Sequence, residues 1–220
     1  MRNILGVAVS FAYFLGLLAI APKLRVSLEA SRKFVHIMLG NWWFIVLLLF
    51  DSLFFALIVP VSFIFINYIS LKRNRKGGLL SELERKDDTK SYGIILYPAA
   101  LVILVVISFG ALKEPYIGGI GLMALAYGDG FAALIGKKFG WKPFYVFKNK
   151  KTVSGCAGMF SATFISTAVF LLISGAPVDG IIYISLLLAA VATVFETLTP
   201  SGADNITIPL STVAVYCAVV

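Results

Sequence analysis

The sequence predicts an all-α, polytopic membrane bundle of seven to eight transmembrane helices, a single integral domain over residues 1–220 with its N-terminus outside. Three observations predict it. Of the 220 residues, 60% are hydrophobic and 14% charged, against about 25% charged in soluble domains. Mean hydropathy is +0.94. Apolar runs long enough for about 30 Å of hydrocarbon recur from end to end and leave no soluble domain of useful size.

The runs lie near 4–21, 34–50, 52–71, 92–112, 116–135, 153–173 and 180–198, with a last piece at 206–220. The last, about 15 residues, makes about 22 Å of helix at 1.5 Å per residue. It reads as a short or mismatched span, a re-entrant piece or a truncated end. Residues 1–21 imitate a signal peptide, with Arg2, an apolar core and Ala19-Ile20-Ala21. Their apolar run exceeds the usual 7–15 residues, so they are expected to stay as the first span.

With the N-terminus outside, alternating spans put every lysine and arginine except Arg2 and Lys113 into cytoplasmic loops near 22–33, 71–91 and 137–152. The positive-inside rule selects that orientation. Topology thus accounts for most of the net charge of +8, and no nucleic-acid partner is expected. The fourth inner loop, near 199–205, carries an acid and no lysine or arginine. Cys156 and Cys217 fall inside apolar segments and read as free thiols rather than a disulfide framework. Within 72–91, Ser81 and Glu84 have capping-box spacing, consistent with a short interfacial helix or with an ordinary connector. Along the fifth span, Ala124, Gly128, Ala132 and Gly136 recur every four residues. Such a ridge lets helices approach closely, within one chain or between two in an oligomer.

The polar residues collect at the cytoplasmic end: Arg32, Lys33, His36, Asp129, Lys150, Lys151, Ser154, Glu196, Asp204 and Asn205. Asp129, in Gly128-Asp129-Gly130, interrupts an apolar stretch where a carboxylate costs about 2.5–3.5 kcal/mol to insert. It is the candidate for a hard cation such as Mg²⁺, which takes carboxylate oxygens, waters and substrate phosphates; the flanking glycines are expected to clear room for a ligand. Lys150, Lys151 and the turn from Thr152 to Gly155 precede a helix start, where N–H groups and lysine charge suit phosphate. Arg32 or Lys33 shares a helix face with His36, the only histidine. Glu196 and Asp204 could supply a second metal ligand or a base, while Asp204 and Asn205 also suit helix capping.

These residues resemble the CTP-dependent polyprenol kinase family, which includes dolichol, phytol and farnesol kinases, and are most similar to its phytol kinase branch. The resemblance rests on Arg32-Lys33-Phe34-Val35-His36 with Gly40, on Tyr127-Gly128-Asp129-Gly130-Phe131 through Gly136-Lys137-Lys138-Phe139-Gly140, on Lys150-Lys151-Thr152-Val153-Ser154-Gly155, and on Glu196-Thr197 through Asp204-Asn205-Ile206 to Leu210. These four blocks stand in the family's order over residues 32–210. Ser154 stands where the family often has an acid, and Cys156 where it has a small hydroxyl.

The resemblance implies transfer of the γ-phosphoryl group of CTP to a long-chain isoprenoid alcohol, with Mg²⁺ as cofactor, at the cytoplasmic face of the bilayer. It implies that Asp129 and Asp204 hold the metal. Arg32, Lys33, Gly128, Gly136, Lys150, Lys151, Thr152 and Ser154 would bind the nucleotide, and His36, Asp129 or Glu196 would orient or deprotonate the alcohol, with Asn205 beside them. A phosphatidate cytidylyltransferase-like enzyme shares the Gly-Asp and Lys-Thr-x-x-Gly elements, but its C-terminal histidine has no counterpart here. A small transporter with an intramembrane acid would need polar residues at mid-depth on several helices, whereas here they gather at one end.

Overall fold

The computed structural model describes residues 1–73, 93–146, 149–176, 178–200 and 202–220. The Ser81–Glu84 motif and Lys148 lie outside the described residues. The helices are α1 (Arg2–Ile20), α2 (Leu28–Gly40), α3 (Trp42–Leu49), α4 (Leu53–Arg73), α5 (Gly93–Val105), α6 (Tyr116–Met123), α7 (Gly130–Phe139), α8 (Val153–Ser174), α9 (Ile181–Leu198) and α10 (Asp204–Val219). Two π-helical stretches, Val106–Ala111 and Ala124–Asp129, extend α5 and join α6 to α7. Among the described residues seven spans are long and apolar enough to cross a membrane, and α10 is shorter. The predicted helical membrane bundle is therefore what the chain forms.

Most span boundaries fall within a few residues of the apolar runs. The second begins earlier, at Leu28 rather than near 34, because Ser27 caps it: its side chain accepts the Ala30 N–H at 3.3 Å. Arg32, Lys33 and His36 thus lie on α2 itself, as a shared helix face requires. α2 and α3 form one span interrupted at Asn41, whose Oδ1 accepts a bond from the Tyr127 hydroxyl at 2.7 Å.

The span from α6 to α7 is the hub. It is 72% buried inside the protein, against 22–39% for the other six. Its glycines make this packing feasible. Side chains built on Gly118 and Gly119 would collide with Trp43 and Phe170, and one on Gly121 would come within 2.8 Å of the Pro209 carbonyl. The small-residue ridge packs within the chain: a Cβ on Gly136 would lie 3.3 Å from the Gly155 Cα, and one on Gly158 would lie 3.2 Å from the Phe131 carbonyl. The indoles of Trp42 and Trp43 are fully buried and donate to Ser10 Oγ and the Pro115 carbonyl, both at 2.8 Å.

Helix α10 packs on α5, α6 and α9 through Ile208, Thr212, Val213 and Tyr216. The loop near 137–152 contains an element that the sequence reading lacks, an antiparallel hairpin of β1 (Pro143–Val146) and β2 (Asn149–Thr152), pairing Phe144 with Lys151 and Tyr145 with Lys150. Gly140, at φ +59°, ends α7 in the left-handed conformation, and the chain turns there into the hairpin.

Candidate active site

A cavity of about 1200 Å³ opens at the basic end of the bundle. Its polar part is lined by Arg32, Lys33 and His36 of α2, Asp129, Gly136 and Lys137 of the hub span, Lys150, Lys151 and Thr152 of β2, Glu196 of α9, and Asp204 and Asn205 of α10. Five cations and three acids thus face one space. Its apolar part runs between α1, α4 and α5.

Asp129 is positioned by the π turn, which adds a residue to the helical repeat and shifts the faces beyond it. A side chain on Gly128 would run into Thr163 and Met159 of α8, and one on Gly130 into Ile37 of α2. The two glycines let α8 and α2 close in on either side, leaving Asp129 between them to line the cavity. The expectation that these glycines clear room for a ligand is corrected accordingly, because neighbouring helices fill that room. Gly128 is buried and absent from the cavity wall, at a position where α8 packs closely.

Asp129 Oδ2 accepts from Lys33 Nζ at 2.5 Å and lies 3.2 Å from His36 Nε2. The same His36 nitrogen is 3.1 Å from the carbonyl of Leu125, inside the π turn. A carbonyl only accepts, so this contact requires the proton on Nε2. His36 is therefore built to donate, fixing the π turn and the carboxylate together. The Tyr97 ring stands edge-on to the imidazole at 4.7 Å, and its hydroxyl donates to the His36 carbonyl at 3.2 Å. Sequence reasoning missed Tyr97, since an aromatic in an apolar run gives no signal. Lys137, read only as a topology residue, also faces the cavity.

The second cluster joins the hairpin to α9. Lys151 Nζ donates to Glu196 Oε1 at 2.5 Å and to the Glu196 carbonyl at 2.7 Å. Lys150 is exposed at the rim and has no ion pair among the described residues. Arg32 pairs with Glu29 at 3.1 Å. Thr152 caps α8, its hydroxyl accepting the Gly155 N–H at 3.0 Å, and the Val153 N–H reaches the Lys142 carbonyl at 3.3 Å. Part of the expected phosphate cradle is thus already engaged. Ser154 is absent from the cavity wall. Its hydroxyl accepts the Trp141 N–H and donates to Thr152 Oγ1, both at 3.2 Å, which fastens the start of the hairpin to α8.

Asp204 opens α10 outside the seven spans, and its Oδ1 accepts the N–H groups of Gly202 at 2.9 Å and Asn205 at 3.0 Å. Burial, and then the charge of Asp129, push its carboxyl up to about 6. Two carboxylates line the one cavity, and their mutual repulsion raises the affinity of either for a proton or a cation. Among the described residues each engages one oxygen in hydrogen bonds, Oδ2 of Asp129 and Oδ1 of Asp204, and the other has no hydrogen-bond partner there. Among the described residues no three acid, histidine or cysteine side chains cluster as a metal site. That donor set fits Mg²⁺, which is commonly held by one or two carboxylates plus substrate phosphates.

The chain is 29% identical to the phytol kinase of Synechocystis sp., the match covering 97% of this chain and 87% of that protein. It is 30% identical to a probable chloroplastic phytol kinase of Triticum aestivum, covering 90% and 69%, and 28% identical to phytol kinase 1 of Arabidopsis thaliana, covering 93% and 71%. No family model and no solved structure matches it. Similarity along nearly the whole length takes in all four sequence blocks and the cavity they build, and the chain belongs to the phytol kinase branch of the polyprenol kinase family.

Proposed function

We propose that the protein is a lipid-alcohol kinase that transfers the γ-phosphoryl group of CTP to the hydroxyl of a long-chain isoprenoid alcohol such as phytol or geranylgeraniol, at the cytoplasmic face of the membrane. One observation carries this reading: a single cavity joins a cation-rich end around Asp129 to an apolar arm between helices. Relatives named phytol kinase support the kinase class and the isoprenoid alcohol. The family resemblance supports CTP as donor, and the sequence's assignment of nearly all lysine and arginine to alternate loops supports the cytoplasmic orientation.

In the reaction the alcohol oxygen attacks the γ-phosphorus, the bond to the β–γ bridging oxygen breaks, and CDP leaves. Phosphoryl transfer of this kind relies on positioning and charge neutralisation more than on covalent work by the protein. Lys33, Lys150, Lys151, Lys137 and Arg32 surround the space for the triphosphate. Asp129 and Asp204 would hold Mg²⁺, which supplies charge neutralisation at the β- and γ-phosphates when bound. His36 and Lys33 hold the Asp129 carboxylate in orientation. The hydroxyl proton passes to Asp129, whose carboxylate Lys33 and His36 orient.

The test is purified protein with Mg²⁺, each nucleoside triphosphate in turn, and a panel of isoprenols, with products separated. CDP and a prenyl monophosphate are expected. Pyrophosphate release with phosphatidate, and no CDP, would overturn the proposal in favour of a cytidylyltransferase.

A further inference from the structure

The apolar arm of the cavity has a floor and a side opening, and neither is needed to explain the polar site. Along α1 the wall runs from Leu18 to Phe11, and along α4 from Ser70 to Phe63. Each stretch advances seven residues, about 10 Å of helix. At its deep end the two helices lock through aromatic rings: Phe14 meets Phe63 edge-to-face at 4.8 Å and Phe11 stacks on Phe63 at 6.1 Å. Phe14, backed by the fully buried Trp42 at 5.9 Å, is 3% exposed and forms a closed base. Nearer the polar end the cavity wall reaches the outside of the bundle, since Leu15 is 61% and Ile66 46% exposed. In a bilayer that surface faces lipid.

We propose that the alcohol enters sideways from the bilayer, through a portal between α1 and α4 flanked by Leu15 and Ile66. The Phe11–Phe14–Phe63 floor then receives only the hydroxyl-proximal part of the tail, while the distal tail stays in the lipid. This rests on the kinase reading for the identity of the occupant. The arm is continuous with the site that holds the reacting hydroxyl, it is apolar, and its open side faces a solvent of hydrocarbon. An arm about 10 Å deep accommodates roughly two isoprene units. The enzyme therefore recognises the first units of the chain and tolerates length beyond them.

A geranylgeraniol probe carrying a diazirine on its second isoprene unit tests this in the full-length protein in lipid nanodiscs. Photolabelling followed by peptide mapping should place the adduct on α1 between Phe11 and Leu18 and on α4 between Phe63 and Ser70, with excess phytol suppressing it. Adducts confined to other helices, or labelling that phytol does not suppress, would overturn the portal. The labelling needs no turnover, so a correct adduct without CDP formation would sink the kinase reading and leave the portal standing. A kinetic arm uses Leu15→Trp and Ile66→Trp, both lipid-facing. Each should raise the alcohol KM at least fivefold, with kcat and the nucleotide KM within twofold. Unchanged alcohol KM in both variants would overturn the portal. For the unaltered protein, kcat/KM at fixed surface mole fraction should rise steeply from five- to ten-carbon alcohols and vary less than threefold from there to twenty carbons. A tenfold or greater preference for twenty carbons over ten would overturn the shallow floor.

Discussion

Two lysine–carboxylate pairs, each closed at 2.5 Å, face the same cavity: Lys33 with Asp129, and Lys151 with Glu196. Their surroundings separate their work. Asp129 sits within a membrane span at the end of a π turn, shares one oxygen between Lys33 and His36, and stands near a second acid, Asp204. Glu196 sits near the end of α9, and Lys151 grips both its side chain and its backbone carbonyl. On the proposed function the first is a carboxylate oriented for a ligand. The second is a clamp that fastens a hairpin to a helix end.

The largest effect should come from Asp129→Asn. It keeps shape and removes charge, so the detergent-extracted protein should elute as the unaltered one does. Phosphoryl transfer, followed with labelled nucleotide, should fall about 10³-fold, the scale at which loss of an oriented electrostatic group is felt in a dry site. Glu196→Gln should cost far less. If both variants lose activity equally, the distinction between the pairs breaks.

Stability should reverse the ranking. Lys151→Met strands Glu196, which is 7% exposed, and frees its carbonyl. Removing one partner of a buried pair costs about 3–5 kcal/mol, and the lower end is expected here, read as a lower Tm. The double variant Lys151→Met, Glu196→Leu should recover most of it, because no charge is left alone. Failure to recover would mean that the hairpin is held by something other than this pair.

Gly130→Ala sharpens the contrast from the packing side. The added carbon overlaps Ile37, and overpacking costs about 1–3 kcal/mol. Because the same shift moves Asp129 relative to Lys33, activity should drop about tenfold while nucleotide KM changes little. Normal activity in this variant would show that Asp129 tolerates displacement.

The two pairs also mark what a sequence can disclose. Asp129 was legible because an acid in an apolar run has few bland explanations, and Lys33 and His36 were legible as neighbours because a helix has a fixed repeat. That Lys33 and Asp129 meet across 96 positions has no local signature; topology placed both at the cytoplasmic end without pairing them. Seven spans followed from hydropathy. The hairpin did not, since Pro143–Val146 and Asn149–Thr152 are short, and the run of lysines reads as a topology anchor. The π turn was hidden as well, because Ala124, Gly128, Ala132 and Gly136 recur at the spacing of an undisturbed α-helix. Gly128 joins the phosphate residues through its position beside Asp129 and through the resemblance, whereas the four-residue spacing already reads as a packing ridge.

The smallest expected effect concerns two adjacent hydroxyls at the start of α8. Thr152 lines the cavity and caps the helix, whereas among the described residues Ser154 bonds to the Trp141 N–H and to Thr152 itself. Thr152→Ala removes a cap, worth about 1 kcal/mol, and removes a hydroxyl from the phosphate side, so both Tm and nucleotide KM should move. Ser154→Ala removes two 3.2 Å bonds of a half-buried group, each worth about 0.5–1.5 kcal/mol at most. Its kcat and nucleotide KM should stay within about twofold of the unaltered enzyme. A large rise in nucleotide KM for Ser154→Ala would return that residue to the phosphate site, and would mean that the hairpin moves when nucleotide binds.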